Sequence, residues 1–205
     1  MDSAAEAYFA SAFTGVPVLA ILRGYAPERA VELAHRAWDL GLEQVEVPIQ
    51  SPDAVPALRA VIAAGADRGR RVGAGTVITA EQVHLAAEAG AGFTVAPGTD
   101  PEVLAASAAI GLPHLPGVSS PSDVQVALKH GLTWVKAFPA EVLGPAWVRA
   151  VRAPFPQVNI VATGGIGADN AAEYLAVGAA AVAIGSALAD PAQLERVLAV
   201  VSGPR

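Results

Sequence analysis

One pattern of residues recurs about eight times along the chain, and it constrains the fold more than any other feature. In each copy an Ala-rich segment with helical periodicity is followed by a glycine and then by a short apolar run. In the segment 27–40, for example, Ala30, Leu33, Ala34 and Ala37 share one helix face. Glycine suits the end of a helix because it adopts the left-handed conformation at low cost. The glycines in this position are Gly41, Gly65, Gly90, Gly111, Gly131 and Gly178.

Eight strands are predicted in this pattern, and they begin about 20–28 residues apart, which is the length of one βα unit. Right-handed units of this kind form either an open doubly wound sheet or a closed barrel. Eight nearly equal units favour an α/β fold of the (β/α)8 TIM-barrel class, with an extra N-terminal helix at residues 3–13. The predicted strands are Val16–Leu22, Gln44–Ile49, Arg71–Val77, Phe93–Pro97, His114–Val118, Trp134–Phe138, Asn159–Thr163 and Ala181–Ile184.

The composition of the chain argues against several classes of protein. No linker divides residues 1–205, so one barrel domain is predicted, and no apolar run reaches the roughly 18 residues of a membrane span. A net charge of -6 without a basic stripe argues against nucleic-acid binding. The absence of cysteine excludes disulfides and fits a cytoplasmic protein. The four histidines show no ligand spacing and no GxGxxG follows a strand, so neither a metal nor a dinucleotide cofactor is predicted.

The chemistry of such a barrel lies at the C-terminal ends of its strands. At these ends the sequence places a cation, a carboxylate, an amine, two hydroxyls and two glycine-rich loops, which together predict one polar site. The residues are Arg23, Glu46, Thr76, Pro97, Pro116, Lys136, Thr163, Gly164, Gly165, Gly185 and Ser186.

A lysine lies within the apolar sixth strand, in the segment TWVKAFPAE (133–141). The chain has only two lysines, Lys129 and Lys136, and all its other basic residues are arginines. One interpretation of Lys136 is a structural ion pair, for instance with Glu46. The other is a nucleophile, because burial lowers the pKa of an amine and the neutral form attacks a ketone to give a Schiff base. Arginine would serve an ion pair as well but cannot form that bond, so the residue type favours the nucleophile.

Glu46 lies in the segment QVEVPI (44–49) of the second strand. The alternation that turns Val45 and Val47 towards the helices turns Glu46 into the barrel. Schiff-base chemistry needs a proton shuttle, both for loss of water from the carbinolamine and for the carbon–carbon step. Glu46 is the candidate, and a structural or surface role for it remains an open alternative.

Glycine-rich loops follow the seventh and eighth strands, at Gly164-Gly165 and Gly185-Ser186. Barrels commonly bind phosphate at these two positions, because glycine lets backbone N–H groups approach the oxygens. Tight strand-to-helix turns are the alternative explanation for each loop alone. Thr76 is a weaker candidate for binding a carboxylate, because its hydroxyl could instead bond to local backbone. Arg23 is a weaker candidate for binding an anion, because it could instead be a solvated loop residue.

These motifs resemble the class I 2-keto-3-deoxy-6-phosphoaldonate aldolases (KDPG and KDPGal aldolases) of Entner–Doudoroff-type sugar-acid pathways. The resemblance extends along nearly the whole chain, and the order and spacing of the motifs make it specific. The matching segments are AILRG (20–24), VEVPIQSP (45–52), VGAGTV (72–77), PG (97–98), PGVSSPSD (116–123), VKAFPAE (135–141), TGGI (163–166) and IGS (184–186).

The resemblance implies cleavage of a phosphorylated sugar acid to pyruvate and glyceraldehyde 3-phosphate, without a cofactor. It implies that Lys136 forms the Schiff base, that Glu46 is the general acid and base, and that Thr76 holds the pyruvyl carboxylate. It also implies a homotrimer, because members of this family are typically trimers. The remaining implied residues are Arg23, Gln50, Pro97, Phe138 and Thr163 for the substrate, and Gly164, Gly165, Gly185 and Ser186 for its phosphate.

Two branches of this family differ on the second strand. The phosphogluconate branch usually carries Glu-x-Thr-x-Arg-Thr-Pro, whereas EVPIQSP (46–52), with Pro48 and Gln50, resembles the phosphogalactonate branch. Thr163 resembles the gluconate branch instead, and the two substrates differ in configuration at C4. The galactonate substrate is favoured, and the gluconate substrate and 4-hydroxy-2-oxoglutarate are the alternatives. Outside the aldolases, a phosphate-binding isomerase or synthase and a non-catalytic sugar-phosphate binder also remain open.

Overall fold

A computed structural model describes residues 4–201, which form a parallel β-barrel surrounded by helices. None of the helices in this range is long and apolar enough to traverse a lipid bilayer. The strands are β1 (Val18–Ile21), β2 (Gln44–Pro48), β3 (Val72–Gly75), β4 (Phe93–Val95), β5 (His114–Leu115), β6 (Gly117–Val118), β7 (Trp134–Ala137), β8 (Asn159–Thr163) and β9 (Ala181–Ile184). The helices are α1 (Ala4–Ala12), α2 (Pro27–Asp39), α3 (Val55–Ala66), α4 (Ala80–Glu88), α5 (Pro101–Ala109), α6 (Pro121–Lys129), α7 (Ala140–Leu143), α8 (Pro145–Arg152), α9 (Ala171–Ala176) and α10 (Pro191–Val201), with 3₁₀ turns at Pro52–Ala54 and Ser186–Leu188.

The strand order β5-β4-β3-β2-β1-β9-β8-β7-β6 confirms the predicted (β/α)8 barrel. The fifth predicted strand, 114–118, is divided at Pro116, because proline has no N–H to donate to a neighbouring strand. Its first half, β5, pairs with β4 and its second half, β6, pairs with β7. The Pro116 carbonyl accepts a 2.8 Å hydrogen bond from the Lys136 amide. This one segment therefore joins the two ends of the sheet and closes the barrel.

Several predicted strands extend one or two residues beyond the observed ones at an end, and the third strand is the most informative case. The third strand ends at Gly75 rather than Val77, because Thr76 leaves the extended conformation with a φ of 58°. The extra N-terminal helix predicted at residues 3–13 is confirmed as α1, which ends at Ala12, and residue 3 lies outside the described residues.

The barrel wall separates two apolar clusters. On β1 the side chains of Val18 and Ala20 pack outwards with the helices, while Leu19 and Ile21 belong to the cluster inside the barrel. This alternation follows from the two-residue period of a strand. Since all residues of β1 are buried, the wall is covered on both faces, as expected for a parallel sheet.

Helix α1 closes the N-terminal end of the barrel with aromatic side chains. The Phe9 ring lies 5.8 Å from the Phe93 ring, and the Phe13 ring lies 5.4 Å from the Trp134 ring, between ring centroids. Phe9 is only 1% exposed. Water therefore reaches the polar side chains inside the barrel from the opposite, C-terminal end.

The interior has no room for a larger residue at Gly73, which is paired with Phe93 in the register of β3 and β4. A Cβ atom built at Gly73 would overlap the Phe93 ring. We expect Gly73→Ala to lower the free energy of unfolding by about 1–3 kcal/mol, measured by urea denaturation, because an overpacked core must shift its neighbours.

Gly15→Ala is the matched control for this prediction, because a Cβ at Gly15 meets no atom within 4 Å. We expect it to change the free energy of unfolding by less than about 0.5 kcal/mol. Equal stability of the Gly73→Ala and Gly15→Ala proteins would contradict the tight packing of the interior.

Candidate active site

The C-terminal strand ends surround a cavity of about 560 Å³. Ten of the twelve site residues that the family resemblance implies line it, and they lie on or directly after six different strands. These ten are Arg23, Thr76, Pro97, Lys136, Phe138, Thr163, Gly164, Gly165, Gly185 and Ser186.

Lys136 lies on β7 with its side chain inside the barrel and is 2% exposed. Its Nζ atom is 5.0 Å from the centre of the Phe138 ring. Burial lowers the pKa of Lys136, because the charged ammonium loses its solvation, and the nearby Arg23 guanidinium lowers it further. The Glu46 carboxylate opposes both effects. The result is an amine at the floor of an open cavity that loses its proton more readily than a surface lysine.

Glu46 lies on β2 and is fully buried, and it is not among the residues that line the cavity. Both of its carboxylate oxygens lack a hydrogen-bond partner among the described residues. Burial raises the pKa of Glu46, while the charges of Lys136 and Arg23 oppose this rise. A Cβ atom at Gly75, on the neighbouring strand, would lie 2.8 Å from Glu46 Oε1, so the absence of a side chain there makes room for the carboxyl group.

Lys136 and Glu46 influence each other without forming a close ion pair. Each shifts the pKa of the other, yet the salt bridges found within residues 4–201 all lie between other side chains. A structural ion pair would bring the two charges into contact to offset the cost of burial. Two buried ionisable groups with shifted pKa values and no such contact are typical of a catalytic site.

Thr76 holds a backbone conformation that side chains branched at Cβ rarely adopt. Its φ of 58° lies in the left-handed region, where it is the one non-glycine residue of the described chain. Its Oγ1 atom accepts a 3.2 Å hydrogen bond from Nη1 of Arg23. Strained residues of this kind cluster at functional sites. In this conformation Thr76 lines the cavity, and its hydrogen bond with Arg23 connects the ends of β1 and β3.

The glycine-rich loop after β8 is fixed by its contacts with the segment after β7. Gly164 and Gly165 have φ values of 94° and 73°. A Cβ at Gly164 would lie 3.2 Å from the Phe138 ring, and the Gly164 carbonyl accepts a 3.0 Å hydrogen bond from the Glu141 amide. The loop after β9 continues from Gly185 into the 3₁₀ turn that begins at Ser186. Backbone N–H groups in such loops can bind an oxyanion at the rim of the cavity.

The two residues that separate the family branches lie in different surroundings. Thr163 is 3% exposed, and its hydroxyl donates to the Val161 carbonyl at 3.3 Å while the residue lines the cavity. Gln50 is exposed and is not among the residues that line the cavity. The role of Gln50 in substrate binding stays a prediction.

Sequence reasoning missed four residues that line the cavity: Ile21, Tyr25, Ile166 and Ala183. Strand alternation could have identified Ile21 and Ala183, because both are interior positions near strand ends. Tyr25 carried no signal of its own, since it lies in a loop two residues beyond Arg23. Within the described range, no group of three or more His, Asp or Glu side chains is placed to hold a metal ion.

The opposing effects of Glu46 and Arg23 on Lys136 predict variants with opposite behaviour. We expect Glu46→Gln to lower the pKa of Lys136 further, because it removes the one charge that favours the ammonium. We expect Arg23→Gln to raise this pKa, because it removes a like charge.

The measurement is ¹³C NMR of protein labelled at the lysine ε-carbons, titrated with pH. Only two lysines contribute signals, and the resonance of the exposed Lys129 is the internal reference. Shifts of the Lys136 pKa in the same direction in both variants would contradict the electrostatics of this site.

Comparisons with known proteins identify the family to which the chain belongs. A family model described as KDPG and KHG aldolase matches residues 10–199. The chain is 36% identical over 176 residues to the probable 2-dehydro-3-deoxy-6-phosphogalactonate aldolase of Rhizobium meliloti, covering 85% of this chain and 82% of that protein. It is 40% identical over 162 residues to the 2-dehydro-3-deoxy-phosphogluconate aldolase of Treponema pallidum, covering 78% of this chain and 75% of that protein.

A solved structure of KDPG aldolase from Legionella pneumophila holds pyruvate captured as a covalent carbinolamine intermediate. It matches the barrel with a TM-score of 0.81 at 32% identity, covering 94% of this chain and 96% of that chain. Identity above 30% over most of both chains, together with a family model that spans the barrel, establishes the relationship. The chain belongs to the KDPG and KHG aldolase family and is a carbon–carbon lyase.

Proposed function

We propose that this aldolase cleaves 2-dehydro-3-deoxy-6-phosphogalactonate to pyruvate and D-glyceraldehyde 3-phosphate. The observation that carries the proposal is the buried amine of Lys136, whose pKa is lowered at the floor of an open cavity. The isomerase, synthase and non-catalytic alternatives offer no reason for this amine, and membership of an aldolase family favours the lyase over them.

The first step joins the substrate to Lys136. The neutral amine attacks the C2 ketone carbon, the nitrogen loses a proton while the ketone oxygen gains one, and a neutral carbinolamine results. Loss of this oxygen as water requires a proton donor, and the product is a protonated imine. Glu46 suits this role because its raised pKa keeps a fraction of the carboxyl group protonated at a higher pH than in a solvated glutamate.

The second step breaks the C3–C4 bond. Glu46, as a carboxylate and through a water molecule, accepts the proton of the C4 hydroxyl, and the electrons of the C3–C4 bond move into the imine. Glyceraldehyde 3-phosphate leaves, and an enamine remains on Lys136. Protonation of the enamine at C3 and hydrolysis of the imine release pyruvate and the free amine.

The cavity supplies groups for both ends of the substrate. Arg23 and Thr76, which are hydrogen-bonded to each other, are proposed to bind the pyruvyl carboxylate. The loops at Gly164-Gly165 and Gly185-Ser186 are proposed to bind the phosphate. Fixing the phosphate uses binding energy far from the reacting bond to orient C3 and C4 against Lys136. Pro97 and Phe138 provide apolar walls between the two ends.

The segment EVPIQSP (46–52) supports the galactonate substrate, because its proline and glutamine replace the threonine and arginine of the gluconate branch. Thr163 in the cavity supports the gluconate substrate instead. The relatives divide in the same way, with 36% identity to a galactonate enzyme over a longer alignment and 40% to a gluconate enzyme over a shorter one. The gluconate substrate is therefore the second candidate, and 4-hydroxy-2-oxoglutarate the third.

Two further properties belong to this proposal. The protein forms a homotrimer, as the family resemblance implies. It acts in the cytoplasm, because a phosphorylated keto acid carries charges that strongly disfavour passage through a lipid bilayer and is consumed where it is made.

Lysine substitutions test the nucleophile. We expect Lys136→Arg to reduce kcat for cleavage by about four orders of magnitude or more, because arginine keeps the charge but cannot form the imine. Pyruvate release, followed with lactate dehydrogenase and NADH, measures the rate. Lys129→Arg changes the chain's other lysine, which is exposed on α6, and should keep full activity. Comparable activity of the Lys136→Arg and Lys129→Arg enzymes would favour a structural role for Lys136.

The C4 epimers test the substrate. We expect a higher kcat/KM for the galactonate epimer than for the gluconate epimer. Gln50→Arg introduces the residue of the gluconate branch at an exposed position, and it should shift the ratio of the two kcat/KM values by about tenfold towards gluconate. A wild-type preference for the gluconate epimer would overturn the substrate assignment while leaving the Schiff-base chemistry intact.

A further inference from the structure

A second cavity, of about 620 Å³, lies at the N-terminal end of the barrel, opposite the catalytic cavity. Gln44 begins β2, Arg71 immediately precedes β3 and Pro113 immediately precedes β5, and all three line this cavity together with Tyr8 of α1. The aldolase reaction uses none of these residues. This N-terminal cavity is comparable in volume with the catalytic one and has polar side chains of its own.

Arg71 provides a positive charge held in place. The carbon atom of its guanidinium group lies 5.6 Å from the centre of the Tyr8 ring. Its aliphatic stem packs against Gly92, where an added Cβ would lie 2.8 Å from Arg71 Cβ. Within the described chain, Arg71 forms no salt bridge. The packing orders the guanidinium group while its N–H donors remain available to a ligand.

Gln44 provides a second, oriented donor. This residue is 8% exposed, and its Oε1 atom accepts a 2.8 Å hydrogen bond from the Tyr8 hydroxyl. Because Oε1 faces Tyr8, the amide nitrogen is left to donate, and it makes no hydrogen bond to the described part of the protein. Arg71 and Gln44 are thus two donors, both fixed by the same tyrosine.

The charges around the N-terminal cavity favour an anion. Glu43 and Arg70 also line it, and they neutralise each other in a 2.9 Å salt bridge. Arg71 is left as the uncompensated charge, although the chain as a whole has a net charge of -6. A free guanidinium group matches the planar, bidentate geometry of a carboxylate or phosphate group, and the Gln44 amide is a further donor in the same cavity.

We propose that the N-terminal cavity is a second binding site, which takes a small organic oxyanion through Arg71 and Gln44. The oxyanion is the carboxylate or phosphate group of a metabolite, and the Tyr8 ring packs beside it. Since Arg71 is exposed and Gln44 is not, the ligand enters from the solvent side and its charged group reaches inwards to Gln44.

An NMR titration tests this proposal, with inorganic phosphate and malonate as separate probes for the two oxyanions. We expect at least one probe to shift the side-chain amide signals of Gln44, and Arg71→Gln to weaken this binding about tenfold or more. Arg71→Gln keeps the stem that packs on Gly92, and the thermal unfolding midpoint of the variant verifies its fold. Arg23→Gln, which alters the catalytic cavity, is the control and should leave the Gln44 titration unchanged.

Three results would overturn the proposal. The Gln44 signals could fail to move with either probe, or they could move equally in the wild type and in Arg71→Gln, which would indicate an adventitious ion only. Alternatively, Arg71→Gln could change the mass of the assembly measured by light scattering without weakening the probe. That result would identify this surface as an interface between copies of the chain.

Discussion

The barrel holds two ionisable side chains, Lys136 and Glu46, in its interior and away from water. Removing a charge from water costs free energy, and here no close ion pair offsets the cost. The cost instead appears as a lowered pKa for the amine and a raised pKa for the acid. Both shifts bring the two groups closer to the protonation states that Schiff-base chemistry requires. In the proposed mechanism, the burial that costs folding free energy therefore also makes the amine and the acid more reactive.

The barrel makes this burial possible and leaves its interior open only at the C-terminal end. Apolar contacts between strands and helices stabilise the outer face of the wall, so the interior tolerates a few polar groups. The aromatic side chains of α1 close the N-terminal end, and Gly75 leaves space for the Glu46 carboxyl group. In the proposed mechanism, the substrate consequently reaches the amine from the C-terminal end, where the glycine-rich loops lie. The further oxyanion site proposed around Arg71 lies at the N-terminal end of the barrel, so Phe9 and the other interior aromatic side chains separate it from this chemistry.

The sequence predicted the features that repeat or that conflict with their surroundings. Helix and strand periods predicted the barrel, which is confirmed. The apolar neighbours of Lys136 predicted that its side chain lies inside the barrel, and the structure places it there, in the cavity lining. Features that depend on contacts between distant segments were not predictable. The left-handed Thr76 depends on the geometry after β3, and the N-terminal cavity depends on Tyr8 reaching both Gln44 and Arg71. The periodicity of the sequence gives no information about such contacts between distant segments, because each residue alone is typical of its helix, strand or loop.

Reduction with borohydride in the presence of pyruvate distinguishes a nucleophilic Lys136 from a structural one. If the burial of Lys136 makes its amine the nucleophile, the protein gains the mass of one reduced pyruvate adduct per chain. The adduct must map to the peptide that contains Lys136 and not to the peptide that contains Lys129, the chain's other lysine. A protein that remains unmodified, or an adduct on Lys129, would contradict the account.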